Sequence, residues 1–327
     1  MSKRELKSLV SLGTLLVLSA CASGPQTCQL SRIGPLSVLN DKNGSPLISV
    51  MLNGNPAVMM VDTGAENSLV TPDAVENFNL ETTTRTVTTR GVGGAVRTPV
   101  ISADTLKIGD AVASQVVFIE ADMPSARKYG VPVAGLFGAD FLSGYDVLFD
   151  LPKRQITLFR LEGCSTANLD WQEPFERLPF VEPSPVRVTL PAKLNGKSID
   201  LMLDSGSNKT TVLMEQAREA GVRRDALEQD ENLGSTGLDG THLDAWSHRF
   251  DSLEIGPDLY RDPELIVAPL ETYYALLGAD FLWHMPMWIS YREQAVLLFK
   301  PNTSPKAPPA ENAVQAVPEG AHAVGRQ

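Results

Sequence analysis

Apolar and polar residues alternate along much of this chain, in short runs broken by Asn, Gly and Pro. Leu47 to Leu52 alternates, Asn53-Gly54 interrupts, and Ala57 to Val61 runs apolar into Asp62. Period-two alternation reads as a half-buried strand. Asn-Gly between two such runs reads as a tight hairpin, because both central residues of that turn need positive φ. Val186 to Leu194, Asn195-Gly196 and Ile199 to Leu203 repeat the pattern. Short helices are expected near 73–78 and 214–220, with brief ones after Gly138 and Gly278. Terminal strands are expected at 155–159 and 295–299. The class implied is mostly β with little helix.

The repetition goes further and organises the chain. Val61-Asp62-Thr63-Gly64-Ala65 recurs 142 residues later as Leu203-Asp204-Ser205-Gly206-Ser207, and Leu52-Asn53-Gly54 recurs at the same offset. Leu106-Lys107-Ile108-Gly109 returns as Leu253-Glu254-Ile255-Gly256, and Leu136 to Leu142 returns as Leu276 to Leu282. Four landmarks in one order imply two homologous lobes, 45–160 and 186–300. Between them, 161–185 holds Trp171, Pro174, Pro179, Pro183 and Pro185 and is expected as an extended strap. The segment 301–327 is rich in Pro and Ala without apolar period and is expected to be disordered.

An apolar strand running into Asp-Thr/Ser-Gly has a mechanical meaning. The buried strand holds the carboxylate at the edge of the core, and Gly lets the chain turn so that backbone N–H groups approach it. Two such loops about a pseudo-two-fold axis give a facing pair of carboxylates, Asp62 and Asp204. Close carboxylates share a proton, so one can act as base and the other as acid on a water and a carbonyl. Thr63, Gly64, Ser205 and Gly206 are the expected supports, and no metal or cofactor is required.

These two loops, each followed by an apolar-apolar-Gly segment (Leu136-Phe137-Gly138 and Leu276-Leu277-Gly278), resemble those of the retropepsin-like and pepsin-like aspartic peptidases. The resemblance covers both lobes. It implies a pseudo-two-fold pair of acid-protease lobes, a ψ-shaped crossing behind each loop, and endopeptidase action on extended polypeptides. It also implies hairpin flaps, for which the candidates are Gly91-Val92-Gly93-Gly94 and Gly237-Leu238-Asp239-Gly240. Two departures stand out. Neither flap tip carries the Tyr of pepsins, and Glu66-Asn67 and Asn208-Lys209 replace the acidic pairs with which retroviral enzymes touch substrate backbone. Asp140 and Asp280 recur at the openings of brief helices and are expected to stabilise those N-termini, while Ser68 and Thr210 support the loops.

The first twenty residues read as an export signal: Lys3, Arg4 and Lys7, then apolar Leu9 to Leu18, then Leu18-Ser19-Ala20-Cys21. This segment resembles a bacterial lipoprotein signal, which implies cleavage before Cys21 and acylation of it. Ala22 after the cysteine favours the outer membrane, facing the periplasm, over inner-membrane retention. Residues 21–44 are then a tether. Export makes a Cys28–Cys164 disulfide the natural pairing, with free thiols as the alternative. A net charge of −11 argues against nucleic acid as partner. Matched repeats joined by a strap favour an intramolecular pair of lobes in a monomer over pairing between chains. The competing function is a peptide-binding envelope lipoprotein that uses the same cleft without hydrolysis.

Overall fold

The computed structural model describes residues 28–40, 44–91, 94–123, 129–236, 242–270 and 272–300. The export signal with Cys21, the segment 301–327, and flap residues Val92, Gly93 and Gly237 to Gly240 lie outside them.

Each lobe opens with the expected hairpin. Leu47–Leu52 pairs with Asn55–Val61, and Thr189–Leu194 with Lys197–Leu203. Asn53 and Gly54 have φ of 47° and 77°, and Asn195 and Gly196 have 48° and 76°, as a type I′ turn demands. In the first lobe, Leu47–Leu52 also pairs with the long strand Gly94–Ile108, which closes a seven-stranded sheet into a barrel. A nine-stranded sheet forms the second lobe. The helices are short: Pro72–Asn77 is capped by the Thr71 hydroxyl, which accepts from the Ala74 N–H at 3.2 Å. Met214–Glu219, Ala139–Leu142 and Ala279–Leu282 fall where the pattern placed them.

A third, six-stranded antiparallel sheet joins the lobes. Its centre is Asp146–Asp150 of the first lobe against Met287–Ser290 of the second, with Leu148 opposite Trp288. Gln155–Glu162 and Ala295–Phe299 flank them. The two edges correct the sequence reading. Gln29–Ser37, expected in the tether, is a strand on Gln155–Glu162, and Phe175–Pro179, expected in the strap, is a strand on Ala295–Phe299. The edges are related by the same pseudo-symmetry: Val38 N–H donates to Arg154 C=O and Phe180 N–H to Gln294 C=O, both at 2.8 Å. The repeat therefore reaches further upstream in each lobe than its sequence landmarks do.

Trp171 covers one face of this sheet, edge-on to Trp288 at 5.0 Å and against Phe299 at 5.4 Å. Cys28 and Cys164 are bonded, with Cα atoms 5.0 Å apart, so the first edge strand is stapled to the chain that leaves its neighbour.

Candidate active site

Val61 and Leu203 are buried strand ends, and the next residue in each lobe is the aspartate. The Asp62 N–H donates to Phe137 C=O and the Asp204 N–H to Leu277 C=O, both at 3.0 Å. The acceptors lie on Gly135–Phe137 and Ala275–Leu277, each wedged parallel to the strand carrying the aspartate and antiparallel to the strand leaving the loop. Gly138 and Gly278 then pass so close behind the loops that a Cβ would meet Asn67 backbone at 2.7 Å and Lys209 backbone at 2.4 Å. This is the crossing that the apolar-apolar-Gly segments implied.

The loops interlock. The Thr63 hydroxyl donates to Leu203 C=O at 2.8 Å and accepts from the Ser205 N–H at 3.0 Å. The Ser205 hydroxyl returns both bonds, to Val61 C=O at 2.7 Å and from the Thr63 N–H at 3.0 Å. Both hydroxyls are buried, so each bond replaces one that water can no longer supply. Gly64 and Gly206 are required by the same closeness. A Cβ on Gly64 would stand 2.5 Å from the Asp204 carboxyl carbon, and one on Gly206 would stand 2.3 Å from that of Asp62. Each glycine thus opens space for the other lobe's carboxyl, and each carboxyl affects the ionisation of the other.

Electrostatics separate the two. Burial pushes both carboxyls up from the ordinary aspartate range. Asp62 is held back by the N–H groups of Gly64 and Ala65, which donate to its Oδ1 at 2.9 and 3.2 Å. Asp204 also faces the charge of Asp62, against which the N–H groups of Ser207, at 2.9 Å, and Gly206 hold it back, so it is pushed up to about 8. Two carboxyls this close, both pushed up, share a single proton between them more readily than they both ionise.

Asp140 and Asp280 do more than face a helix N-terminus. Asp140 accepts from the Ser68 N–H at 2.8 Å and hydroxyl at 2.6 Å, and Asp280 accepts from Thr210 at 2.9 and 2.8 Å. Ser68 and Thr210 in turn accept from the N–H of Gly138 and Gly278, both at 3.0 Å. Each aspartate ties the strand leaving the catalytic loop to the crossing segment, and its own bond to the following N–H is the smaller part of its role.

The described residues that flank the two flap candidates pair over unequal lengths. Glu81–Gly91 pairs with Gly94–Ile108 as far as Gly91 opposite Gly94, whereas Ser235–Thr236 meets His242–Leu243 over two residue pairs. Glu66 and Asn208, which stand where retroviral enzymes carry acidic residues, are both engaged across the lobe boundary, Glu66 by Arg187 and Asn208 by Ser45 and Tyr129. Sequence reasoning passed over Ser45, Tyr129 and Arg187. Only the offset of 142 between Ser45 and Arg187 could have drawn attention to two of them.

The model of the aspartyl protease family matches residues 48–141, and that of the gag-polyprotein putative aspartyl protease family matches residues 190–284. No curated protein matches the chain. Each match spans one Asp-Thr/Ser-Gly loop together with its crossing segment. Two tandem protease domains on one interlocked site make this chain a two-lobed, retropepsin-like member of the aspartyl proteases.

Proposed function

We propose that the protein is an active aspartic endopeptidase in which Asp62 and Asp204 form the catalytic dyad. The observation that carries this reading is the reciprocal approach of Gly64 to Asp204 and Gly206 to Asp62, which leaves no room for a side chain between either loop and the other lobe's carboxyl. In this reading Asp62, the carboxyl with more N–H donors, is ionised and takes a proton from water. Asp204 carries the dyad's proton and donates it to the scissile carbonyl oxygen. Water oxygen bonds to the carbonyl carbon, a tetrahedral diol forms, and the C–N bond breaks as the amine leaves protonated. The substrate is an extended polypeptide laid between the lobes. The enzyme works as a monomer, because one chain supplies both carboxyls, and it is anchored through acylated Cys21 at the outer membrane facing the periplasm.

The test is cleavage of a diverse peptide mixture by the full chain, read by mass spectrometry from about pH 3 to about pH 8, with a statine-type mimic as inhibitor. Asp62→Asn and Asp204→Asn are each expected to lower turnover by about a thousandfold or more. Near-parental turnover in either variant overturns the dyad. Peptide binding without cleavage at any pH favours the receptor function. Palmitate labelling that survives Cys21→Ser removes the anchor.

A further inference from the structure

The pseudo-two-fold axis relates Ser45 to Arg187 and Glu66 to Asn208, with 142 residues between the members of each pair. In both lobes the earlier residue reaches across to the other lobe's catalytic loop, but the chemistry differs. Arg187 and Glu66 form an ion pair at 2.6 Å, with both side chains 49 % exposed. Ser45 is fully buried. Its hydroxyl donates to Gly206 C=O at 2.6 Å, and its N–H is shared between the Tyr129 hydroxyl oxygen and Asn208 Oδ1, each at 3.0 Å. The Tyr129 hydroxyl donates to the same Asn208 Oδ1 at 2.8 Å. Every one of these neighbours offers that oxygen a proton, which fixes the orientation of the amide. Behind them, buried Trp283 donates its indole N–H to Gly44 C=O at 2.9 Å and pins the chain just before Ser45.

The acceptor of the Ser45 bond matters. The Gly206 carbonyl and the Ser207 N–H belong to one planar peptide unit. That N–H is the donor that holds Asp204 Oδ1 at 2.9 Å. A hydrogen bond to the carbonyl end of a peptide fixes its plane and polarises its N–H towards a stronger donor. Arg187 grips a side chain of the first loop, whereas Ser45 grips the backbone of the second.

We infer that Ser45, Tyr129 and Asn208 are positioning residues for Asp204, acting through the Gly206–Ser207 peptide. The inference rests on the dyad proposed above, and it makes the second loop the rigid partner of the pair. Loss of the Ser45 hydroxyl lets the peptide plane tilt and weakens the bond to the charged form of Asp204. The dyad then keeps its proton to higher pH.

The test uses the full chain and two independent readouts. One is peptide cleavage. The other is melting temperature against pH, in which the dyad's step is identified as the part that Asp204→Asn abolishes. Ser45→Ala is expected to lower kcat by about ten- to a hundredfold with KM unchanged, and to move the step upward in pH. Tyr129→Phe, a gentler change that keeps the ring, moves both in the same direction, and Ser45→Thr restores both. A lower melting temperature with kcat and step unmoved in both Ser45→Ala and Tyr129→Phe overturns the inference and leaves only a structural contact. Absence of cleavage in the parent chain defeats the proposed function, while the stability step still decides the positioning role.

Discussion

The loops around Asp62 and Asp204 share a backbone and differ in what surrounds them. Asp62 accepts from the N–H groups of Gly64 and Ala65, and Asp204 from that of Ser207. Outside the loops, the first is met by an exposed ion pair, and the second by a buried hydroxyl, a phenol and an amide. Equal residues in equal loops thus stand in unequal surroundings, and such neighbours govern how readily a carboxyl ionises. Symmetry of fold does not carry symmetry of charge.

The strongest way to break this comparison is to fill the space that each loop leaves for the other. Gly64→Ala and Gly206→Ala would each drive a methyl into the opposite carboxyl. Both are expected to abolish cleavage and to cost about 3 kcal/mol, measured by turnover and denaturant unfolding. Full activity in either would mean that only one carboxyl is needed. Next come the interlocking hydroxyls. Thr63→Val and Ser205→Ala each leave a buried carbonyl of the other lobe unpaired, for about 2 kcal/mol apiece. The double variant should lose less than the sum, since each change already breaks bonds to the other residue.

The pH dependence sharpens the contrast. Asp204 binds its proton more tightly in the folded state than its ordinary value of 3.8 allows, reaching about 8. Its contribution to stability is therefore fully present below about pH 4 and is lost as pH rises towards about 8. Asp204→Asn should melt higher than the parent at pH 7 and converge with it near pH 4, read by calorimetry across that range. A gap that widens on acidification would reverse the assignment of the proton. The smallest effect belongs to Arg187→Gln. An exposed pair of this kind contributes about 0–1 kcal/mol, and the difference should vanish in high salt.

Much of the site could be read in advance because it depends on short sequence patterns. Asn-Gly at a turn, an apolar run into Asp-Thr/Ser-Gly and an apolar-apolar-Gly segment each act on their immediate neighbours. The edge strand Gln29–Ser37 was hidden for a definite reason. Its buried residues Leu30, Ile33 and Leu36 recur every third position: Leu30 packs on one face with Trp288, and Ile33 and Leu36 on the other, brought to one side where the pairing slips around Gly34, at φ 104°. A strand of that period shows no alternation to find. Phe175–Pro179 was hidden by Pro174 just before it and Pro179 at its end, which an edge strand tolerates. The Ser45–Asn208 contact joins residues 163 apart and has no pattern at all, since a serine and an asparagine suit any polar surface. Asp140 was read as structural, but its bonds to Ser68 depend on a crossing of strands that no local pattern shows.

A polypeptide has a head and a tail. Two identical halves about a two-fold axis offer a strand laid across them the same surroundings whichever way it runs. The halves of this chain are encoded separately, so a change in one is not forced on the other. A guanidinium–carboxylate pair flanks the dyad on one side, where an amide flanks it on the other. On the proposed function, a peptide laid between the lobes consequently meets different surroundings when bound forwards and in reverse.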